Sequence, residues 1–346
     1  CIKFLQFRKE NIMDTKKFDV IGIGHPCVDY LAHIDSLPAS NESRSVLNGS
    51  WQCGGKIPTG LAAAARCGLS CALIGAMGDD LFGQYCYKDF EDHGIDLSHT
   101  LIRKDATTDI GVVLSDDKTH GRNIIYRRGS YQHLSQEEID FSFLCQADYC
   151  FISRMDDLHV TAAKYAHEHG IKVLIDADNQ PLSEYQKILP YIDYFIASEF
   201  VYNESFQDTD YRQHMEEILK LGPKTVVFTF GEDGCRALSE EGYFEIPAFK
   251  VNVLDTVGAG DTFHGAFFYG LVHKLSLKDT ATFASAVSAI KCTCIGGRAG
   301  IPTPDITLDF IRTGVIHDSE LKVRENRYSW GLNNFFQEIT HGTVEK

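Results

Sequence analysis

Short apolar blocks of strand length alternate along this chain with segments whose apolar positions follow the helical repeat. The blocks are Phe18 to Gly24 (FDVIGIG), Cys71 to Gly75, Tyr149 to Ile152, Lys172 to Asp176, Tyr194 to Ala197 and Thr225 to Phe230. These read as buried strands. Between them, residues 61–67, a stretch ending near His93 and Gly94, 158–169 and 210–221 read as helices, and a further helix carries Phe263, Ala266, Phe267, Gly270 and Leu271. The alternation predicts βαβ units and an α/β fold: a doubly wound, mostly parallel sheet with helices on both faces. Gly231 to Gly234 is a tight turn, and Cys235 to Leu238 a return strand.

Two stretches break this rhythm. In 107–128, alternating segments at Ile110 to Leu114 and Asn123 to Tyr126 flank a polar turn from Asp116 to Gly121, which predicts a β-hairpin. Residues 32–52 are polar and irregular, with short strand-like pieces. Together they predict a small β-sheet lid that covers a site and excludes water.

The most informative stretch is Asp255-Thr256-Val257-Gly258-Ala259-Gly260-Asp261. A partly alternating, β-prone approach from Phe244 to Leu254 precedes it, and the helix at Phe263 follows. Glycines at such a transition let backbone approach a ligand. The first amides of a helix lack internal partners and sit at the positive end of its dipole, which suits phosphate. Asp261 repels that anion unless it takes a proton from an attacking hydroxyl. The plain alternative, an Asp capping a helix after a tight turn, is the better reading of a lone GxGD. A second pair, Gly54-Gly55 with Lys56, opens the Ala-rich helix that Gly68 closes. Asp29, Gly54, Asp176, Ser198, Gly231 and Gly258 all follow strand-like segments, and ligands of doubly wound sheets gather at carboxyl ends of strands.

Composition narrows the classes. With 346 residues, 44% of them hydrophobic, the chain can bury a large core. A formal net charge of −15 argues against a nucleic-acid or anionic-membrane partner. The eleven cysteines include no CxxC pair, and an odd total fits free thiols in a reducing cytoplasm. Cys292 and Cys294 read as small buried residues rather than metal ligands, and His167 and His169 as surface residues. No apolar run reaches transmembrane length. Cys1 to Met13 lacks signal-peptide organisation, and Met13 is read as the start of the natural sequence. Gly22 and Gly24 lack the third glycine of a dinucleotide fingerprint, and no P-loop motif occurs.

Taken together these stretches resemble the PfkB (ribokinase-like) family of carbohydrate kinases from about residue 18 to about 304. Asp255 to Asp261 is similar to the family signature D-T-x-G-A-G-D. Gly54-Gly55-Lys56 through Arg66-Cys67-Gly68 is similar to its first signature, and Gly296 to Pro302 to its closing segment. The resemblance implies a ribokinase-like domain over 14–313, with a lid from about 32–52 and 107–128. It leaves a C-terminal extension, 314–346, packed on the domain, and an N-terminal extension, 1–13. It implies Asp261 as base, the amides of Gly258, Ala259 and Gly260 as anion hole, and substrate contacts from Asp29, Gly54, Gly55, Lys56 and Thr59. The ATP site would draw on Ser198, Thr229, Gly231, Gly234, Ser285 and Ser288. Mg²⁺ would arrive with the nucleotide, near Glu199, and K⁺ would sit beside Asp255 and the Gly296–Gly300 loop.

The chain departs from the family pattern at two places. Thr59 stands where the family usually has Asn, and Ser198 and Val201 stand at the N-x-x-E element that organises Mg²⁺. The implied activity is transfer of the ATP γ-phosphoryl group to a hydroxyl, expected to be primary, of a ketose, pentose or sugar phosphate. A nucleoside kinase of the same fold and a catalytically weak sugar-binding regulator are the alternatives. The family's lids often pair between subunits, which implies a homodimer.

Overall fold

In the computed structural model, residues 16–118, 121–178, 180–329 and 331–342 are described. Cys1 to Met13, the turn residues Thr119 and His120, and Trp330 lie outside the described residues. In chain order the first elements are β1 (Phe18–Ile23), β2 (Cys27–Ile34), β3 (Asn48–Gly54), α1 (Lys56–Arg66), β4 (Cys71–Gly78), α2 (Leu81–Asp92), β5 (Thr100–Arg103), β6 (Asp109–Asp116) and β7 (Arg122–Arg127). Next come β8 (Ala147–Ile152), α3 (Asp157–Glu168), β9 (Lys172–Ala177), β10 (Tyr194–Ser198), α4 (Glu199–Ser205), α5 (Tyr211–Leu219), β11 (Thr225–Thr229), β12 (Cys235–Ser239) and β13 (Gly242–Ile246). The chain continues with α6 (Ala259–Val272), α7 (Leu277–Lys291), α8 (Pro304–Thr313), α9 (Ser319–Ser329) and α10 (Gly331–Gly342).

The apolar blocks form one nine-stranded sheet in the order β13-β12-β11-β10-β9-β8-β1-β4-β5. Strands β11 through β5 in this order run parallel, and β12 and β13 are added antiparallel. From β1 the chain winds one way to β4 and β5, then returns to β8 and winds the other way. That reversal at β1 opens a crevice at the carboxyl ends of the strands. Leu61, Phe90, Phe267 and Phe283 pack on one face of the sheet, and Ala162, Ala166, Met215 and Ile218 on the other. None of the helices is long and apolar enough to cross a membrane, among the described residues.

The lid is a four-stranded sheet, β3-β2-β6-β7. The hairpin of β6 and β7 was legible in the alternation. Strands β2 and β3 are longer than the short pieces expected in 32–52, and β2 carries Asp29 into the lid. Leu31 and Val113 of the lid pack with Leu254, Val257 and Ile295, so the lid rests on the glycine motif. The β-prone approach to that motif is not a strand beyond Ile246. Phe249 and Val251 instead pack beside α8, with the Phe249 ring tilted against Phe310 at 5.2 Å between centroids.

The glycines of the first strand serve packing, not a dinucleotide. A Cβ on Gly22 would lie 2.5 Å from Ile57 Cγ2 of α1. Helices α1 and α6 approach more closely still, since a Cβ on Gly265 would lie 2.0 Å from the Gly60 carbonyl oxygen. Small residues are needed at both positions for this crossing.

Helices α9 and α10 pack on the domain. Arg298 is fully buried, 2.5 Å from Asp89 of α2, and the Tyr328 hydroxyl of α9 donates to the same carboxylate at 2.7 Å. Burial alone would raise the Asp89 pKa, but Arg298, His93 and Tyr328 outweigh it and hold the carboxyl below its usual range. Ser50 of β3 donates to the Tyr328 carbonyl, and Arg66 makes a two-pronged contact with Glu320. Breaking a buried pair by removing one partner leaves an uncompensated charge. Arg298→Met should therefore lower stability by about 3 to 5 kcal/mol. Tyr328→Phe should lower it by about 1 to 2 kcal/mol. Urea unfolding midpoints measure both, and values near those of surface substitutions would refute this role of α9.

Candidate active site

The two glycine motifs meet because α1 and α6 cross. Gly55, with φ 94°, precedes α1, and Gly258, with φ 70° in the left-handed region, precedes α6. Both conformations are open to glycine at no steric cost. The two helix starts thus face the same crevice. A Cβ on Gly258 or on Gly297 would lie 3.4 Å from the Thr59 methyl, so Thr59 packs the motif against the closing segment. The Ala259 amide turns back to the Thr256 carbonyl at 3.2 Å, and Ser288 donates to the Ala259 carbonyl at 2.8 Å. Ser288 is therefore an anchor for the first turn of α6.

Asp261 sits in that turn, mostly withdrawn from water. Desolvation and the neighbouring Asp176 carboxylate push its pKa up to about 6, against the opposing pull of Lys56, His264 and Arg122. Lys56 is the hub of the charge pattern. Its ammonium lies 3.0 Å from Asp178 and 3.7 Å from Asp176. Burial opposes the charge, but Asp176, Asp178 and Asp261 more than compensate and raise the Lys56 pKa. Asp176 is buried, and its Oδ2 has no hydrogen-bond partner among the described residues. His264, also buried, bonds the Gly260 carbonyl through Nδ1 at 2.6 Å and places Nε2 3.7 Å from Asp176.

The Mg²⁺ region differs from expectation in detail. Val201 is fully buried in the core, so no group there reaches the crevice. Ser198 donates to Asp178 Oδ1 at 2.7 Å, which brings a carboxylate from the neighbouring strand to this place. Glu199 is exposed and its side chain contacts Asn203. Thr229 ends β11, beside the Ala197 carbonyl. Gly231 and Gly234 both have positive φ and shape the turn that follows. Ser285 lies 3.6 Å from Cys235 at the start of β12.

On the lid, Asp29 is flanked by glycines on both neighbouring strands. A Cβ on Gly54 would lie 2.0 Å from its Oδ2, and one on Gly111 would lie 2.1 Å from its Oδ1. The carboxylate fills the space those side chains would take. Burial raises its pKa, with Cys27 and Arg298 opposing. Asp255 is buried behind the motif, where its carboxylate accepts from the Ser115 hydroxyl of β6, the Val257 amide and the Gly296 amide.

Sequence reasoning placed Asp176 at a strand end and gave neither it nor Asp178 a role. It missed Gly111, Ser115 and His264 altogether. The His264 position, one turn after the glycine motif, was the only available signal for that residue.

The arrangement offers a carboxylate of raised pKa at a helix start, backbone amides beside it, and a lysine within reach of several carboxylates. That is suited to drawing a proton from a hydroxyl next to a bound phosphate. Comparison with known proteins identifies the family. The model described as pfkB family carbohydrate kinase matches residues 20–304. A ribokinase of Lactococcus lactis is 28% identical over 284 residues, covering 81% of this chain and 92% of the relative. A 5-dehydro-2-deoxygluconokinase of Clostridium perfringens is 25% identical over 323 residues, 86% of this chain and 94% of the relative. Among solved structures, a putative ribokinase from Agrobacterium tumefaciens superposes with a TM-score of 0.78 at 22% identity, covering 86% of this chain and 98% of that one. Arabidopsis thaliana ribokinase complexed with ribose and ATP gives 0.72 at 22% identity, covering 85% and 99%. A putative ribokinase II from E. coli, in complex with ATP and Mg²⁺, gives 0.71 at 20% identity, covering 85% and 99%. The chain belongs to the pfkB family of carbohydrate kinases, phosphotransferases that act on sugar hydroxyl groups.

Proposed function

We propose that this protein transfers the γ-phosphoryl group of ATP to a hydroxyl, of the primary kind, on a ketose, pentose or sugar phosphate. The observation that carries the reading is Asp261, a carboxylate of raised pKa in the first turn of α6, directly after the glycines. Asp261 takes the hydroxyl proton as the oxygen attacks phosphorus in line, and ADP leaves. Charge gathering on the transferred group meets the amides of Gly258 and Gly260 and the start of the α6 dipole, and the Ala259 amide joins them when it leaves the Thr256 carbonyl. Asp29, Gly54, Gly55, Lys56 and Thr59 line the sugar side, with Asp29 accepting from sugar hydroxyls. Ser198, Thr229, Gly231, Gly234, Ser285 and Ser288 line the nucleotide side.

The crevice suits Mg²⁺, a hard cation that prefers oxygen ligands and keeps several waters. Asp176 offers an unpartnered carboxylate oxygen, and Asp178 stands next to Ser198. These two would hold the ion, which would supply charge neutralisation to the nucleotide phosphates. With Asp178 at that place, the loss of the N-x-x-E side chains weighs less toward the weak-regulator reading. The ten described cysteines are free thiols, which supports a reducing, cytoplasmic setting.

The lid edge supports a homodimer. Ile124, Ile125 and Tyr126 of β7 are 54%, 64% and 66% exposed on an edge strand whose outer side has no strand partner among the described residues. Such an edge invites pairing with another strand.

Release of ADP from MgATP across ketoses, aldoses, sugar phosphates and nucleosides tests the assignment. Asp261→Asn should keep sugar and ATP binding while kcat falls by about 10²-fold or more. Unchanged kcat would sink the base assignment. Because only the ionised Asp261 accepts a proton, kcat/KM should fall as pH drops through about 6 and level off above it. A flat profile between pH 5 and 8 would count against it. Ile125→Lys should convert the dimer to monomer in sedimentation velocity, and a wild-type protein that sediments as a monomer would remove the lid contact.

A further inference from the structure

The family resemblance brings with it a monovalent cation beside Asp255 and the Gly296–Gly300 loop. The residues present do not fit one. Alkali cations are held by rings of oxygen acceptors that replace their water. Around Asp255 the acceptors are already matched to protein donors. Asp255 Oδ1 receives the Ser115 hydroxyl and the Val257 amide, each at 2.9 Å, and Oδ2 receives the Gly296 amide at 2.8 Å. The Cys292 carbonyl receives the Leu254 and Asp255 amides at 2.8 and 3.2 Å. The Ile295 carbonyl receives the side-chain amide of Gln52 at 2.8 Å, while Gln52 Oε1 accepts from the Arg298 amide at 2.9 Å.

One positive charge does stand here. Lys291, the last residue of α7, is fully buried, and its ammonium donates to the Asp255 carbonyl oxygen at 2.8 Å. Burying an ammonium is costly unless a counter-charge accompanies it. The buried Asp255 carboxylate belongs to the residue whose carbonyl Lys291 holds and supplies a negative charge in the same region. The carboxyl end of a helix also favours a cation. From the Asp255 carbonyl the chain runs directly through Thr256 and Val257 to Gly258, so a group that fixes this carbonyl fixes the approach to the α6 amides.

We propose that Lys291 replaces the monovalent cation: its tethered ammonium holds the Asp255 carbonyl, positions the Asp255–Gly260 turn, and makes activity independent of added K⁺. Lys291 is a positioning residue, and the activity arm of its test rests on the kinase reading above. The arm that does not is thermal melting of the full chain in KCl against tetramethylammonium chloride at equal ionic strength. An ion that binds the folded state raises the melting temperature by mass action. Wild type should melt within about 1 °C in the two salts, whereas Lys291→Met, with its acceptor freed, should gain about 2 °C or more in KCl.

In the second arm, turnover is followed with the panel sugar giving the greatest ADP release. Wild type should hold its rate within about twofold between the salts, and Lys291→Met should lose about tenfold in kcat in tetramethylammonium and recover it in KCl, with KM little moved. A K⁺-specific rise in the wild-type melting temperature, or a wild-type rate that collapses without K⁺, would overturn the proposal. So would a Lys291→Met enzyme with the wild-type rate in both salts. If Lys291→Met does not fold, the wild-type salt comparison decides by itself. A panel without any substrate would undo the kinase reading and leave the melting result standing.

Discussion

The crossing of α1 and α6 is the contact on which the site depends. Each helix begins with glycines, and each start is useful only if the other is next to it. Gly60 and Gly265 let the two backbones touch, with no room for a Cβ on Gly265. Interiors are packed to crystal density and transmit small displacements. A wider crossing would therefore separate Lys56, one residue after Gly55, from Asp261, three residues after Gly258. The Ala63 methyl, 2.7 Å from where a Cβ on Gly265 would lie, continues the same close packing. What looks in the sequence like two independent motifs is one surface built from two helix ends.

Charge is the second constraint. Asp176, Asp178 and Asp261 converge on a crevice that must also admit an anionic nucleotide. Lys56 offsets part of this, and the balance leaves Asp261 harder to ionise than an exposed aspartate. A pKa near the working pH is what a base for a hydroxyl needs, since a more acidic carboxylate is a poorer proton acceptor. The raised value is thus a consequence of crowding carboxylates in a partly dry cleft. Burial is the leading cause there, and it is again on the opposite wall at Asp29, which lies between glycines and has no carboxylate neighbour adding to the effect.

Much of the fold was legible because parallel strands buried on both faces leave continuous apolar runs, and all six such blocks became strands of the large sheet. The motif at 255–261 was legible because its chemistry is contiguous. The lid was only half legible. Its hairpin is local, but β2 pairs with β6 across about eighty residues, and no local pattern records that partner. The Phe244 to Leu254 stretch misled because alternation reports a packed face, and Phe249 and Val251 find theirs beside α8 without a strand to pair with. Gln52, Ser115, His264 and Lys291 were silent for a similar reason. Each acts on a segment far away in sequence, and nothing in its own neighbourhood announces a polar group that will be buried.

The closing segment gathers several of these silent contacts. Gln52 clasps it from the lid, and Arg298 pins it to Asp89 of α2. Tyr328 completes the pair from α9, and Arg324 of the same helix donates to the Arg298 carbonyl. A buried ion pair is a poor source of net stability, because desolvation consumes most of the attraction. It is a good means of excluding alternatives, since any register that unpairs Arg298 leaves a bare charge in the core. Gly297 lies against Thr59 and Gly258, so the register of this segment bears directly on the α6 amides. The helices beyond the resemblance to the family therefore belong to the physics of the site, although none of their described residues lines it.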